Sequence, residues 1–315
     1  MPIEENGVRK LKVVVPGSTA NLGPGFDAMA LALNVPCTLD FQILEHNDLS
    51  VPLITLKGVL LRGLPKDQNN LIYTVLSNLW QNSPDLLQRV RITIESQIPL
   101  GKGMGSSAAA IVGAVWAAYA FTERMPDNAT LLGKAAEMEG HADNVSASLL
   151  GGLVVCGRTV KGNRIITQKL RWPREWCPIV VVPQYVLSTK KARAILPKMV
   201  ERADAVNNIQ RVALLMAAVH NRDEEALSEA LHDRLHEPYR EALVPELPAV
   251  RKAVADFPVL GTVLSGAGSS VLTLVNQRHR RQVLECIKAW AARQPEPPEV
   301  FDLEVDQEGL QVSYE

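Results

Sequence analysis

The spacing of hydrophobic residues in the first half of the chain predicts an alternation of strands and helices. Residues 89–96 (RVRITIES) place apolar side chains at every second position, as in a half-buried strand, and the β-branched stretch 12–15 predicts another strand. The turn-rich sequence PGSTANLGPGFD, residues 16–27, predicts a loop after that strand. Helical spacing predicts three helices, over residues 70–81, 107–123 and 129–139.

After about residue 165 the pattern predicts a second, differently arranged set of elements. A buried strand is predicted at 177–183 (CPIVVVP), and a strand, a glycine loop and a second strand are predicted within 261–275. Helices are predicted over residues 204–220, 223–235, 248–256 and 278–293. Because strands and helices are mixed without strict alternation, we expect an α+β fold of two closely packed domains, 1–165 and 166–315.

The bulk composition narrows the classes of partner. The 315 residues carry a net charge of −1 and are 47% hydrophobic, so neither nucleic acid nor a membrane is expected as a partner. The longest apolar run, residues 108–121, is shorter than the roughly 20 residues that span a bilayer. Four cysteines without a CxxC pair predict reduced, buried thiols and a cytoplasmic location. A small neutral or zwitterionic ligand is therefore expected.

A glycine-rich segment, PLGKGMGSSAAA at residues 99–110, predicts a loop that turns directly into a helix. Unpaired backbone N–H groups and the positive dipole end of such a helix bind anions, and serine hydroxyls can add contacts to phosphate or Mg²⁺. The segment lacks the lysine of a Walker loop and the third glycine of a dinucleotide fingerprint. Phosphate binding by a different kind of loop is one interpretation, and close helix packing through small residues is the other.

The helix predicted before Gly140 carries a carboxylate on its apolar side. At about 100° per residue, Glu139 falls within the arc of Leu131 and Ala135, whereas Glu137 falls on the opposite side. An inward carboxylate must be paired or bind a metal, because an unpaired buried charge is costly. Beside the glycine loop it could hold Mg²⁺ together with a serine hydroxyl. The alternative is a frayed helix end whose last residue points to solvent.

Two histidine-containing sequences have more than one interpretation. The turn GHADN brings together His141, Asp143 and Asn144; alone it predicts a helix cap, and beside a Mg²⁺–phosphate site it predicts a substrate cradle. His232 and His236 have the spacing of a metal-binding pair on a helix, but no third ligand lies nearby in the sequence. We therefore expect them to be surface histidines of an amphipathic helix.

Four segments, in this order and spacing, resemble one family: PGSTANLGPGFD, PLGKGMGSSAAA, EGHADNVSASLLGGL and LSGAGSSVLTL. The family is the GHMP kinases, small-molecule kinases that include enzymes acting on galactose, homoserine, mevalonate and phosphomevalonate. Two further segments, LSTKKARAILP and EPYREALVP, resemble the members that act on homoserine. The resemblance implies an N-terminal domain with a left-handed βαβ unit, a C-terminal ferredoxin-like α/β sandwich and an active site between them.

The resemblance also implies a reaction and a set of residues. The expected reaction is ATP-dependent phosphorylation of the side-chain hydroxyl of L-homoserine, a step toward threonine, by a homodimer. The alternatives are phosphorylation of another small alcohol, such as mevalonate, and a non-catalytic relative that only binds a small molecule. ATP would lie against Pro99, Leu100, Gly101, Lys102, Gly103, Met104, Gly105, Ser106, Ser107, Ala108 and Ala109, with Asn70 at the adenine pocket.

The remaining implied roles concern the metal and the acceptor. Mg²⁺ would be bound by Ser106 and Glu139, with Ser107 as the alternative hydroxyl. The substrate would lie against Asn21, Asp27, His141, Asn144, Arg193 and Arg240, with Asn144, His141 and Asp143 as the catalytic group. In this arrangement Asp27 faces the ammonium group, and the two arginines face the carboxylate. The hydroxyl is oriented by Asn144 and His141, without a dedicated base; Asp143 as a base is the alternative.

Overall fold

The computed structural model describes residues 10–122, 126–162 and 164–314. Its strands are β1 (Lys10–Ala20), β2 (Met29–Ile43), β3 (Ile54–Lys57), β4 (Val90–Ser96), β5 (Leu153–Arg158), β6 (Ile165–Leu170), β7 (Trp176–Val182), β8 (Val259–Leu264), β9 (Val271–Asn276), β10 (Glu299–Asp302) and β11 (Gln311–Tyr314). Its helices are α1 (Leu71–Leu79), α2 (Pro84–Arg89), α3 (Ser106–Thr122), α4 (Asn128–Glu139), α5 (Asp143–Leu150), α6 (Thr189–Ala194), α7 (Arg202–Asn221), α8 (Glu224–Ala230), α9 (Glu237–Arg240), α10 (Glu246–Ala253) and α11 (Arg280–Ala291). Short 3₁₀ helices cover Val59–Leu61 and Glu241–Leu243.

The first sheet is built around the long strand β2. Its hydrogen-bonded order is β11–β1–β2–β4–β3, while β5 pairs with the first residues of β2 and β6 pairs with β5. These pairs are antiparallel except that of β3 with β4, which is parallel. Helix α3 contacts β1, β2, α1, α4 and α5. Because α3 is apolar on nearly every side, its burial among these elements is the arrangement that removes its surface from water.

Strand β1 is longer than the sequence pattern predicts. A strand is predicted only over residues 12–15, but β1 continues to Ala20 after its register with β2 shifts between Pro16 and Gly17. A bulge accommodates the proline, which cannot donate a ladder hydrogen bond, and lets the pairing resume beyond it. The turn-rich sequence therefore begins as strand, and the loop is confined to residues 21–28.

The second sheet has the order β10–β7–β9–β8, and its pairs are antiparallel. Alternate residues of β7 belong to different cores, as the period of a strand requires. Ile179 and Val181 pack in a cluster with buried residues of α10 and α11. Val180 and Val182 belong instead to the large core that also contains the buried residues of α7, α8 and the first sheet. One continuous core therefore joins the two sheets.

Strand pairing differs from the domain boundary expected at residue 165. Strand β6 begins at Ile165 and pairs with β5, so it extends the first sheet. Strand β11 follows the second sheet in the chain but returns to pair with β1. The first sheet therefore contains residues from both ends of the described chain.

The predicted helices are present to within three residues at each end, with one exception; residue 123 lies outside the described part. The exception is the helix predicted over 223–235, because α8 already ends at Ala230. Asp233 then accepts hydrogen bonds from the backbone N–H groups of the three residues 235–237, which turns the chain into α9. No helix in the described ranges is long and apolar enough to cross a membrane.

Candidate active site

A cavity of about 290 Å³ is lined by connections of both sheets. Its lining comes from the end of β1 and the loop after it, the loop before α3 and the start of that helix, and the turn between α4 and α5. Helix α6 with the segment before it, α9, and the loop between β8 and β9 complete the lining. The predicted site residues in this lining are Asn21, Asp27, Gly101, Gly103, Gly105, Ser106, Ser107, Glu139, His141, Asp143, Asn144, Arg193 and Arg240. The fold thus brings most of the predicted set together from segments far apart in the sequence.

The other predicted residues lie outside this lining: Pro99, Leu100, Lys102, Met104, Ala108, Ala109 and Asn70. Met104, Ala108 and Ala109 are fully buried in the core. Asn70 caps α1, because its side chain accepts a hydrogen bond from the N–H of Ile72 and donates one to the carbonyl of Pro65. Contact of these residues with ATP stays a prediction.

The glycines of the loop before α3 are required by contacts within the protein. Gly103 has φ +83°, and a Cβ there would lie 2.3 Å from the backbone oxygen of Ser265. Gly105 has φ +71°, and a Cβ there would lie 2.2 Å from Oγ of Ser18. Both the left-handed backbone and the close approach exclude larger residues. These glycines therefore hold the loop against β1 and the β8–β9 loop, so that its backbone lines the cavity.

The small residues of α3 serve close packing as well. A Cβ on Gly113 would lie 2.5 Å from Cδ1 of Leu39 on β2, so α3 approaches the sheet closely. The close-packing interpretation therefore holds for the helix body, whereas phosphate binding by the loop stays a prediction. The loop lines the cavity at the N-terminus of α3, where first-turn N–H groups and the helix dipole favour an anion, and the helix body packs against β2.

A row of polar side chains continues from the start of α3 to the turn before α5. Ser107 Oγ donates to Glu139 Oε2 at 2.7 Å, and Glu139 Oε1 lies 3.8 Å from Nε2 of His141. On its other side, His141 Nδ1 is 2.6 Å from Oδ1 of Asp143, which also accepts the N–H of Asn144. Glu139 thus faces inward, as the helical spacing predicts, and the frayed alternative is wrong. Ser106 lines the cavity, but its Oγ accepts the N–H of Gly101 instead.

The electrostatics of this row favour an added cation beside Glu139. Burial raises the pKa of the Glu139 carboxyl above its usual range, against the lowering effects of the Ser107 hydrogen bond and of His141. Burial also acts to lower the pKa of His141, but the hydrogen bond and charge of Asp143 and the charge of Glu139 outweigh it, so this pKa is raised. Ser107 and His141 therefore do not fully offset the cost of burying the ionised form of Glu139, and a cation beside it would offset more of that cost.

These residues fit a magnesium ion that is also bound by phosphate. Across the described ranges, no three His, Cys, Asp or Glu side chains are grouped so that they could hold a metal ion on their own. Mg²⁺ commonly uses one or two carboxylates and completes its octahedral shell with substrate phosphates and water. The hard oxygen donors of Ser107 and Glu139, next to the helix N-terminus, match that pattern.

The side chain of Asn144 is hydrogen-bonded to a buried serine of β1. Ser18 Oγ donates to Asn144 Oδ1 at 2.9 Å and lies 3.3 Å from Oγ of Ser148. Ser18 and Ser148 are fully buried. The sequence does not identify Ser18, because the pattern of residues 16–27 predicts a loop there rather than a strand.

The cavity lining also carries an ion pair between the loop after β1 and helix α6. Arg193 donates from both terminal nitrogens to the two carboxylate oxygens of Asp27, at 2.8 and 2.6 Å. The sequence predicts separate partners for these two residues, whereas the structure pairs them with each other, each side chain 38% exposed. Asn21 supports this loop, since its side chain accepts the N–H of Asp27 and donates to the carbonyl of Gly266.

The ring of Phe26 contacts two arginines of the cavity lining. The guanidinium groups of Arg193 and Arg240 lie 5.4 and 5.3 Å from its ring centroid. Arg240 is almost fully buried and donates to the carbonyl of Ala192. Burial, followed by the charge of Arg193, lowers the pKa of Arg240 to about 10. His236 stacks on Phe26 at 5.1 Å and is fully buried.

The expectation that His236 lies on the surface is therefore wrong, while His232 is exposed as predicted. The two residues do not share a helix, because the chain between them turns at Asp233. The sequence also misses several lining residues: Phe26, Val186, Leu187, Ser188, Thr189, Gly266, Ala267 and Gly268. For the last three a signal exists in the glycine-rich sequence LSGAGSS, which places a loop between two predicted strands.

Comparison with known proteins gives matches over both halves of the chain. The domain descriptions "GHMP kinases N terminal domain" and "GHMP kinases C terminal" match residues 70–152 and 215–293. The chain is 35% identical to homoserine kinase of Desulfitobacterium hafniense over 302 residues, covering 96% of this chain and 99% of that one. It is also 35% identical to homoserine kinase of Nostoc punctiforme, covering 96% and 98%.

Solved structures share the fold over nearly the whole chain. The crystal structure of homoserine kinase from Cytophaga hutchinsonii superposes with a TM-score of 0.83 at 27% identity, covering 97% of this chain and 98% of that one. A mevalonate kinase structure superposes with a TM-score of 0.67 at 17% identity, covering 94% and 99%, which shows a similar fold only.

Proposed function

Because the chain belongs to the GHMP kinase family, we propose that it phosphorylates the side-chain hydroxyl of L-homoserine. ATP is the phosphoryl donor, and the products are O-phospho-L-homoserine and ADP. The membership confirms two predictions from the sequence, the small-molecule kinase family and the α+β fold of two domains. The choice of homoserine is supported by the relatives of that name and by the geometry of the cavity.

One observation carries the choice of substrate: two groups of lining residues, which we name the phosphate end and the acceptor end, differ in charge chemistry. One end has the loop before α3, Ser107 and Glu139, which suit a nucleotide phosphate and its Mg²⁺. The other end has a carboxylate and a guanidinium side by side, Asp27 and Arg193. L-Homoserine carries an ammonium, a carboxylate and a terminal hydroxyl. Its two charges match one end while its hydroxyl extends toward the other.

At the phosphate end, the proposed ligands of Mg²⁺ are Glu139 and Ser107. Their hydrogen bond already places a carboxylate and a hydroxyl oxygen side by side in the cavity lining. Ser106, the hydroxyl favoured by the sequence, lies next to them and is proposed to contact phosphate. When bound, Mg²⁺ neutralises charge on the phosphate oxygens, and the first-turn N–H groups of α3 add hydrogen bonds to them.

At the acceptor end, we propose that the substrate exchanges with the internal ion pair. Arg193 turns from Asp27 to the substrate carboxylate, and Asp27 accepts the substrate ammonium in its place. Each of the two residues exchanges one oppositely charged partner for another, so neither charge is left unpaired. Arg240 adds positive charge beneath this position, and its bonds to backbone carbonyls and its stacking on Phe26 hold it fixed.

At the centre, we propose that Asn144 and His141 orient the acceptor hydroxyl. The bond between the side-chain oxygen of homoserine and the γ-phosphorus forms as the bond from that phosphorus to ADP breaks, and the hydroxyl proton passes to an oxygen of the transferred phosphoryl group. Such a transfer depends mainly on alignment and charge neutralisation, so a strong base is not required. Oδ1 of Asp143 is already engaged by His141 and by the Asn144 N–H, so we assign Asp143 to anchoring His141.

The experiment that tests this function is a coupled ADP-release assay under Mg²⁺–ATP with L-homoserine, mevalonate and D-galactose. The proposal predicts turnover with L-homoserine at least about 100-fold more efficient than with either other alcohol, because only homoserine satisfies both Asp27 and Arg193. Turnover with mevalonate in preference to homoserine would overturn the substrate. Absence of turnover with each alcohol, in protein that still binds nucleotide, would favour the non-catalytic alternative.

We also propose that the chain forms a homodimer in the cytoplasm. The family resemblance supports the dimer, and the exposed apolar side chains of Met199 and Ile209 are surface of the kind that subunit interfaces bury. The four cysteines are free thiols, in keeping with a reducing compartment. Light scattering should give a mass near twice 34.5 kDa, and a mass of 34.5 kDa would contradict the dimer.

A further inference from the structure

We propose that Ser18 is a positioning residue for phosphoryl transfer: its hydroxyl holds the side-chain amide of Asn144 so that the amide N–H donors face the cavity. The inference rests on the proposed function for the reaction, because Asn144 is assigned to the acceptor hydroxyl there. The contact itself rests on geometry alone. Ser18 is absent from the cavity lining, so it acts through Asn144 rather than on the substrate.

The hydrogen bonds around Ser18 define the orientation of the amide. Ser18 has one hydroxyl proton and three oxygen neighbours, of which Asn144 Oδ1 at 2.9 Å is nearer than Ser148 Oγ at 3.3 Å and the Asn144 carbonyl oxygen at 3.5 Å. Within the described chain the Ser148 hydroxyl has no other partner, so it donates to Ser18, and Ser18 donates to Asn144. These three polar groups form a short relay that runs from α5 to β1 and back. Oδ1 is thereby engaged at its buried side.

The nitrogen of the same amide is left for the cavity. Among the described residues, Nδ2 of Asn144 has no hydrogen-bond partner, and Asn144 is part of the cavity lining. The amide therefore presents two N–H donors to whatever lies there. Such an N–H can donate a hydrogen bond to the substrate hydroxyl that receives the phosphoryl group, or to a phosphate oxygen. The reversed amide would present Oδ1 instead, an acceptor facing other acceptors, which repel it.

The position of Ser18 is set by the fold rather than by local sequence preference. The register shift between Pro16 and Gly17 lets β1 continue as strand to Ser18 and beyond. The N–H of Ser18 donates to the carbonyl of Met104 at 3.1 Å. A Cβ on Gly105 would lie 2.2 Å from the Ser18 hydroxyl oxygen. The hydroxyl thus occupies a fixed space between the phosphate-side loop and α5, and it aligns Asn144 with that loop.

The first test compares Ser18→Ala with Ser146→Ala by steady-state kinetics. Ser146 is an equally buried serine of α5, but its hydroxyl donates to the carbonyl of Ala142 and does not contact Asn144. We expect Ser18→Ala to lower kcat about 10- to 100-fold, with KM for either substrate changed less than about threefold, because alignment in the transition state is lost. We expect Ser146→Ala to retain kcat within about twofold. Equal losses in the two variants would overturn the proposal.

The second test is a double-mutant cycle of Ser18→Ala and Asn144→Ala. If Ser18 acts through the amide, its substitution changes kcat less than about twofold once Asn144 is already alanine. The same fold loss in both backgrounds would contradict the proposal, because it would show an effect on the fold at large. The cycle is run with whichever alcohol the wild type phosphorylates, so an error in the choice of homoserine does not affect its outcome.

A third measurement needs no turnover and separates this proposal from the proposed function. The side-chain amide resonances of Asn144, identified by their loss in Asn144→Ala, are followed in ¹H–¹⁵N spectra of the ligand-free protein. We expect them to shift in Ser18→Ala and to stay in place in Ser146→Ala. Unchanged resonances in Ser18→Ala would overturn the positioning role, even if the enzyme phosphorylates homoserine. A shift in a protein without kinase activity would support the contact and refute only the proposed reaction.

Discussion

The two ends of the cavity are organised by different physical means. At the phosphate end, the backbone is fixed by close approaches at Gly103 and Gly105 that leave no space for a side chain. The cost of burying its carboxylate, Glu139, is only partly offset by Ser107 and His141. At the acceptor end, the charges of Asp27 and Arg193 are already neutralised by one another. In the proposed function, one end therefore binds a cation and an anion, whereas the other opens an existing ion pair.

In this account, the phosphate end provides a rigid backbone, and the acceptor end provides selectivity for the substrate. Backbone contacts at the phosphate end position the loop before any ligand arrives, which suits a donor that many kinases share. In the proposed function, the paired charges at the acceptor end favour a ligand that can replace both partners, which is a zwitterion. We therefore expect substitutions at the first end to affect folding or kcat, and substitutions at the second to affect KM for the acceptor.

The largest effect is expected from Gly103→Ala. The new Cβ would meet the backbone oxygens of Ser265 and Gly268, at 2.3 and 2.9 Å, and the residue would keep φ near +83°. We expect the free energy of unfolding to fall by about 3 kcal/mol or more, together with loss of activity, as measured by urea denaturation and ADP release. Gly133→Ala is the matched control, because its Cβ meets nothing within 4 Å and helix α4 favours alanine. An equally stable Gly103→Ala protein would contradict the account of the loop.

Glu139→Gln should break the phosphate end without unfolding it. We expect kcat to fall about 100- to 1,000-fold because the proposed Mg²⁺ ligand loses its charge. The free energy of unfolding, in contrast to kcat, should not fall. Burial raises the folded pKa of Glu139, so its ionisation opposes folding as pH rises from the unfolded pKa through the folded one. The variant should therefore match or exceed the wild type in unfolding free energy at pH 8. Activity within threefold of the wild type would contradict the metal assignment.

Asp27→Asn should act on the acceptor alone. We expect KM for L-homoserine to rise about 10- to 100-fold, because the substrate ammonium loses its counter-ion, while KM for ATP stays within about threefold. Unfolding free energy should change by less than about 1 kcal/mol, since the pair with Arg193 is partly exposed. Glu229→Gln, which breaks the surface pair with Arg211, controls for loss of an ion pair as such. Equal shifts in both Michaelis constants would refute the division between the two ends.

The smallest effect is expected in the pH dependence of stability at His141. Its folded pKa is raised above the unfolded value of about 6.5, so its contribution to stability is fully present below the unfolded pKa and is lost as pH rises through the folded pKa. Urea denaturation should show the wild type more stable than His141→Gln by about 1 kcal/mol at pH 5.5, with the difference shrinking toward pH 8.5. A difference that grows with pH would contradict the contact with Asp143.

Local patterns in the sequence predict much of the phosphate end. Helical spacing alone predicts that Glu139 faces inward, and the change from glycines to alanines in the sequence predicts the start of α3. Both features depend on residues within a few turns of one another. The sequence leaves two interpretations for the small residues of the loop and of α3, and the structure shows the close packing because it shows what each missing Cβ would contact.

The acceptor end could be predicted only in part, because its contacts join distant segments. Asp27 and Arg193 are 166 positions apart, and no local pattern shows that they pair with each other. The position of Ser18 on a strand depends on a register shift after Pro16, and the turn-rich sequence around it predicts a loop instead. The helical spacing predicts His236 on a helix surface, but Asp233 ends that helix by accepting backbone N–H groups, and this aspartate is a cap signal that the sequence does contain.

The central claim, that the Asp27–Arg193 pair selects a zwitterion, is tested most directly by one ratio in the wild type. The measurement is kcat/KM for L-homoserine against kcat/KM for 4-hydroxybutanoate, which lacks only the ammonium group, under saturating Mg²⁺–ATP. We predict a ratio of at least about 100, because the analogue would leave Asp27 without a partner once Arg193 has turned to the carboxylate. A ratio near 1 would contradict the account.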